Sequence, residues 1–175
     1  MKLISVVLAL TLLLPGRTTT DSGQLLQQIW SAYDPSEQFS VYGGQPEQAV
    51  QGRPGELDIC NGDMLSENFC VPQQLHFAIE EGASLVHLMN RCVFSAAVFR
   101  LAPNQDAEAF AAVLRGSIRK AQWEGSRPEQ CLIMIPAARY ILVAFGKQRL
   151  LDTFLLRTEQ VFPQGKLLYD EQLPV

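Results

Sequence analysis

Apolar and polar positions follow their most regular pattern in the C-terminal half of the chain. Three almost wholly apolar runs, at 93–101, 131–135 and 139–145, predict buried β-strands. In two other stretches apolar side chains recur every three or four residues, which predicts amphipathic helices at about 107–123 and 148–162. The predicted order of elements is therefore β-α-β-β-α.

These elements predict an α+β fold with a small mixed β-sheet, in a domain placed at residues 75–162. A strand–helix–strand connection favours a parallel pair of strands, whereas the short turn at 136–138 favours an antiparallel hairpin. Since the runs at 131–135 and 140–145 are apolar at every position, both faces of the sheet should be covered. We expect the two C-terminal helices to cover one face. An N-terminal helix, the connecting segment or a partner should cover the other.

The N-terminal half has a looser pattern, which predicts one helix and a connection within residues 18–74. Apolar side chains recur at helical spacing over 23–33, and either Asp21 or Ser22 can cap this helix. The pair Asp34-Pro35 ends it, because the residue before a proline disfavours helical backbone.

The segment that follows is rich in Gly, Pro, Gln and Ser. Residues 35–74 therefore predict a long irregular connection, with one helical turn at Met64–Asn68. Alternation over Leu75–Glu80 predicts a strand with one exposed face. Residues 84–91 fit either a strand or a helix, and 163–175 are expected to form a tail.

The extreme N-terminus has the pattern of a signal peptide, which we place at residues 1–17. Lys2 precedes the uncharged apolar run Leu3–Leu14, too short for a membrane span of about 20 residues but of the length of a signal-peptide core. The alternative is a buried helix of the domain. Leu14-Pro15-Gly16 resembles a bacterial lipobox, yet Arg17 stands where the lipidated cysteine would be. We therefore expect an exported protein, released or held by an uncleaved signal, that meets the membrane only through this segment.

Composition changes this picture little. The 175 residues are 47% hydrophobic and 18% charged, which excludes a disordered chain and favours one domain. The net charge of −4 predicts no nucleic-acid partner.

The four cysteines leave several pairings open. Cys60 and Cys70 flank a short loop-like stretch, which makes them the pair favoured for a disulfide in an exported chain. Cys92 and Cys131 each begin an apolar run and could be neighbours at one end of the sheet. Buried free thiols are the alternative. The absence of a Cys-x-x-Cys motif gives little support to thiol-redox chemistry or a zinc ribbon.

Candidate chemistry rests on the two histidines, His76 and His87. His76 and Glu80 would share the exposed face of one predicted strand, as an acid–base pair requires, but a solvated strand face has the same pattern. The spacing of the histidines and cysteines matches no recurring metal site, so we assign no catalytic residue, metal or cofactor.

A basic patch and a tryptophan are the candidate binding residues on the central helix. Arg115, Arg119 and Lys120 lie on its exposed side with Arg127 close by, where they could meet an anionic partner or simply be solvated. Trp123, at the helix end, could anchor a partner or pack onto the core.

Several of these segments together resemble a known family. They are Ala96–Leu101, Asp106–Glu108, Gln122–Gly125, Pro128–Gln130 and Arg139–Val143. They are similar to the small bacterial extracytoplasmic lipoproteins catalogued as domain of unknown function four-three-five-eight, over roughly residues 64–162 and the lipobox-like N-terminus. The family has no established activity, so the resemblance implies fold and location. Arg17 departs from its lipidated cysteine.

The sequence therefore favours a non-catalytic, extracytoplasmic binding or interaction protein with a cell-envelope protein or ligand as its partner. The alternatives are a small exported hydrolase or metal-dependent enzyme using His76 and His87, and a homo-oligomer that buries the apolar sheet against a second copy.

Overall fold

The computed structural model describes residues 21–123 and 125–174. The predicted signal peptide lies outside the described residues. The helices are α1 (Ser22–Ser31), α2 (Gly62–Phe69), α3 (Ala107–Lys120) and α4 (Gln148–Val161), with 3₁₀ helices at Pro46–Gln48 and Gln73–Ala78. The strands are β1 (Val41–Gly43), β2 (Val50–Gln51), β3 (Gly55–Glu56), β4 (Ile79–His87), β5 (Phe94–Leu101), β6 (Gln130–Ile135), β7 (Tyr140–Gly146) and β8 (Lys166–Gln172).

The strands form one sheet in the order β2-β1-β4-β5-β7-β6-β8, with β3 also pairing to β4. The α+β class and the order β5-α3-β6-β7-α4 are confirmed. The predicted mixed pairing is wrong for the described strands, because every pair is antiparallel. β5 and β6 do run in the same direction, but β7 folds back between them and pairs with both.

Helices cover both faces of the sheet and divide the core in two. α1 and α4 pack with alternate strand residues such as Leu132 and Leu142, while α2, α3 and the second 3₁₀ helix pack with the opposite set, such as Ile133 and Val143. The period of two along each strand sends successive side chains into different layers. The prediction that both C-terminal helices share a face is therefore wrong. The N-terminal helix joins α4, as Leu25 and Phe154 show.

Local sequence explains where the helices begin. The Asp21 carboxylate accepts a hydrogen bond from the backbone N–H of Gln24 and caps α1, so of the two predicted caps it is Asp21 and not Ser22. Asp106 caps α3 in the same way through the N–H groups of Glu108 and Ala109. The buried face of α3 then follows from the helical spacing of its apolar side chains.

The looser segments contain more structure than their patterns predict. The segment 35–74 holds three short strands and α2, which is longer than the single turn predicted at Met64–Asn68. The strand predicted at Leu75–Glu80 is mostly a 3₁₀ helix: Leu75 and Ala78 are buried three residues apart, while Phe77 is 77% exposed. The segment 84–91, which fitted either a strand or a helix, belongs to β4 as far as His87. Most of the predicted tail, residues 163–175, is the edge strand β8.

No helix in the part of the chain that the structure describes is both long and apolar enough to span a membrane.

Candidate functional site

Two adjoining clefts surround the C-terminal end of α3, and we call them together the α2–α3 groove. The first, of about 690 Å³, lies between the last turns of α2 and α3 and is lined by Ser66, Glu67, Asn68, Cys70, Arg91, Ser117, Lys120, Ala121, Gln122 and Trp123. The second, of about 380 Å³, shares the segment 120–123 and extends to Arg127 and Pro174. The groove therefore runs from Arg91, past Lys120 and Trp123, to Arg127.

One wall of the groove is the end of α2. Asn61 caps this helix by accepting a hydrogen bond from the N–H of Met64, and Leu65 and Phe69 bury its apolar side. Cys70 then adopts left-handed backbone, with φ of 56°, and donates its N–H to the Ser66 carbonyl. The helix stops there, which leaves its last carbonyls at the groove.

Arg91 binds this exposed helix end from the loop between β4 and β5. Its guanidinium donates to the carbonyl oxygen of Glu67 and to the side-chain oxygen of Asn68, the latter at 3.3 Å. A cation at a helix C-terminus also interacts favourably with the helix dipole. Arg91 thus links the end of α2 to the loop between β4 and β5.

The other wall is the end of α3 and the segment that follows it. Phe110, Leu114 and Ile118 are buried and hold the helix on the sheet. Trp123 is half-buried and packs on Phe145 of β7, with ring centroids 5.1 Å apart. Trp123 therefore both contacts the core and lines the groove.

Glu171 of β8 neutralises part of the predicted basic patch. Arg115 donates two hydrogen bonds to its carboxylate, at 2.8 and 2.6 Å, and Arg119 donates one at 3.1 Å. These hydrogen bonds, chiefly from Arg115, hold the pKa of Glu171 below its usual value. The Arg115 guanidinium also lies 4.7 Å from the centroid of the Tyr169 ring. Arg115 and Arg119 are thus engaged within the protein.

Three other cations at the groove form no ion pair with a described carboxylate. They are Arg91, Lys120 and Arg127. Arg127 donates to the backbone oxygen of Pro174 at 2.8 Å. Only two other described cations, Arg53 and Arg149, share this property, and both lie elsewhere. Among the described residues, three of the five cations that form no ion pair therefore lie at the groove, although the whole chain carries a net charge of −4.

The two histidines lie apart and each has its own partners. The Nε2 atom of His76 is 3.1 Å from the Val71 carbonyl oxygen and 3.3 Å from the Ser66 hydroxyl. His87 stacks on Phe39 at 5.8 Å and accepts a hydrogen bond from the Met89 N–H. His76 precedes β4 and His87 is its last residue, so a strand of nine residues that spans roughly 30 Å separates them. The structure therefore brings no His76–His87 pair together.

Glu80 is also engaged away from His76. Its carboxylate accepts a hydrogen bond from Arg139 at 2.6 Å and lies 3.8 Å from Arg100. His76 belongs to the 3₁₀ helix and Glu80 to β4, so the predicted common strand face does not exist. Among the described residues, no three or more His, Cys, Asp or Glu side chains converge in a way that could hold a metal ion.

All four cysteines are described, and all are free thiols. The predicted Cys60–Cys70 disulfide is absent from the structure: Cys60 is exposed, whereas Cys70 is buried beneath the groove. Burial raises the pKa of Cys70 to about 11 and also raises that of Cys131. The protonated thiol is therefore favoured at both positions.

A further cleft of about 620 Å³ lies between α1 and the strands β2 and β3. Its charged lining residues are Arg53 and the carboxylates Asp21 and Glu56, one of which caps α1. This cleft lacks the concentration of unpaired cations that distinguishes the α2–α3 groove.

Sequence reasoning identified four of the groove's residues as binding candidates and missed the others. Arg119, Lys120, Trp123 and Arg127 were recognisable from their position on and after a predicted helix. Arg91 gave no comparable signal, because its partners Glu67 and Asn68 are more than 20 positions away along the chain.

Comparison with protein-family models, curated proteins and solved structures found no match for this chain. The resemblance to the bacterial lipoprotein family therefore stays a prediction from the sequence.

Proposed function

We propose that this protein is an extracytoplasmic, non-catalytic binding protein of the bacterial cell envelope, and that the α2–α3 groove takes its ligand. The proposal of ligand binding rests on the size and lining of this groove. Its larger cleft of about 690 Å³ lies within the usual range of small-molecule sites. Hydroxyl, amide and cationic side chains meet there beside a tryptophan, which suits recognition by hydrogen bonds and apolar contact.

The extracytoplasmic part of the proposal rests on Lys2 and the apolar run Leu3–Leu14. Residues 1–20 fused to a reporter that is active only after export should give activity. Substituting Leu8 and Leu10 by Arg should abolish that activity, because charge in the core of a signal peptide blocks its recognition. Equal reporter activity with and without these charges would contradict export through this segment.

Ligand binding at the groove can be tested by thermal unfolding in the presence of fractionated cell-envelope extract. A ligand that binds only the folded protein raises its Tm by mass action. We expect at least one fraction to raise the Tm of the wild-type protein. The same fraction should leave Ser117→Tyr unshifted, because Ser117 lines the larger cleft and a tyrosine there fills it.

Ala112→Tyr is the matched control. Ala112 is exposed on the same helix but does not line the groove, so this variant should respond like the wild-type protein. A fraction that shifts Ser117→Tyr as much as the wild type would place the ligand elsewhere. If no fraction shifts the wild-type protein, the proposal is wrong.

A further inference from the structure

We infer that the ligand of the α2–α3 groove is an acidic oligosaccharide, a chain of sugar units that carries more than one negative charge. This inference rests on the proposed function and adds the chemical class of the ligand. It comes from three properties of the groove: its unpaired cations, its neutral hydrogen-bonding side chains, and its tryptophan.

The cations of the groove indicate that the ligand is an anion with more than one negative charge. Arg91, Lys120 and Arg127 lie along the groove in that order and have no carboxylate partner among the described residues. Only Glu67 opposes them in the described lining. Because these cations occupy two adjoining clefts, a ligand that meets all of them must be elongated and carry separated charges.

The neutral side chains favour a ligand rich in hydroxyl groups. Asn68, Gln122 and Ser117 line the larger cleft and offer both donors and acceptors. Trp123 lines both clefts and provides an apolar ring surface against which the C–H face of a sugar can pack. A simple inorganic anion would use the cations but neither of these features.

The basic end of α3 has one other explanation, since Arg119 and Lys120 in the last turn complement the helix dipole. That explanation does not extend to Arg127, which follows the helix by several residues and lies beside Pro174. A substitution of Arg127 therefore tests ligand binding without removing a cation that stabilises α3.

The test is a titration of the full chain with three probes: a short oligogalacturonate, a neutral maltooligosaccharide of equal length, and inorganic phosphate. Calorimetry should detect oligogalacturonate binding that weakens as ionic strength rises. Lys120→Gln and Arg127→Gln should each lower the affinity by about threefold or more. Arg149→Gln removes an exposed, unpaired cation on α4 and should leave the affinity unchanged.

The outcomes separate this inference from the proposed function. Equal binding of the neutral oligosaccharide, competition by inorganic phosphate at the same concentration, or no effect of Arg127→Gln would overturn the acidic-oligosaccharide assignment. So would the absence of any binding. If an envelope fraction still raises the Tm of the wild type but not of Ser117→Tyr, the groove remains a binding site for a different ligand.

Discussion

At the residue scale, close backbone approach and paired charges decide which positions tolerate change. Gly146 ends β7 between Phe94 and Gln130, which flank it on β5 and β6. A β-carbon built there would lie 2.4 Å from the carbonyl oxygen of Val93. The glycine therefore permits the close approach of the chain at this end of the sheet.

Gly146→Ala should destabilise the protein by about 2 kcal/mol or more, because backbone atoms must move to admit the methyl group. Urea unfolding followed by far-ultraviolet circular dichroism measures this change. Gly116→Ala is the control: Gly116 lies inside α3, and a β-carbon built there would meet no atom within 4 Å beyond its chain neighbours and the helix's own backbone. There alanine should stabilise the protein by about 0.5–1 kcal/mol. Equal effects of the two substitutions would contradict the close approach at Gly146.

Glu171 makes stability depend on pH. Arg115 lowers the pKa of this carboxyl in the folded protein below the usual 4.5, so the folded state binds fewer protons than the unfolded chain between the two values. The stabilisation is complete above the usual pKa and is lost as the pH falls through the lowered one. Glu171→Gln should therefore lower the Tm at neutral pH, and the difference from wild type should shrink as the pH falls through the lowered pKa.

Glu159→Gln is the control for this pH series, since Glu159 is an exposed carboxylate on α4 that forms no ion pair with any residue that the structure describes. It should leave the Tm unchanged at neutral pH. A Tm difference between Glu171→Gln and wild type that stays constant with pH would contradict the role of the ionised carboxylate.

The spacing of apolar residues predicted which side chains of α3 are buried. It did not predict which charged residues pair with the arginines of this helix. Leu114 and Ile118 are buried as their spacing indicates. Arg115 looked like part of a free basic patch, because its partner Glu171 is 56 residues away in the predicted tail. A pairing over that distance depends on which strand takes the sheet edge, and no local pattern contains that information.

At the element scale, regular amphipathic helices and apolar strands were predictable, whereas short or edge elements were not. α3, α4, β5, β6 and β7 lie close to their predicted bounds. The 3₁₀ helix at Gln73–Ala78 was predicted as a strand, because apolar positions with a period of three cannot be told from those with a period of two over so few residues. The order of strands depends on which strands pair, and β7 pairs with β5 as well as with its hairpin partner β6.

β8 can be tested directly by amide hydrogen exchange. Among the described strands it pairs with β6 alone, and the pairing contains an irregularity at Leu168. Amides of β8 that bond to β6 should exchange more slowly than the amide of Asn104 in the turn after β5, because ladder hydrogen bonds must open first. Exchange throughout 166–172 as fast as in this turn would show that the segment is the predicted tail after all.

At the scale of the whole molecule, helices of the same chain cover both faces of the sheet. The sequence left open that a second copy of the chain covers the second face of the sheet. In the structure α1 and α4 cover that face. The sheet has β2 at one edge and β8 at the other. The longer edge strand, β8, carries Lys166, Asp170 and Glu171, and edge charges of this kind oppose edge-to-edge pairing.

We therefore expect residues 21–175 to be a monomer. Light scattering coupled to size-exclusion chromatography should give the mass of one chain across a wide concentration range. A stable dimer would contradict this expectation, and loss of that dimer on substituting Leu167 by Lys would locate it at β8.

The central claim is that the α2–α3 groove is where the protein meets its ligand, and a hydrogen-exchange footprint tests it most directly. The wild-type protein is compared with and without the envelope fraction that raises its Tm. Slower exchange should appear at 66–70, around Arg91 and at 117–123, the segments that line the groove. Slower exchange confined to α1 and the segment 48–56, at the other large cleft, would contradict the claim.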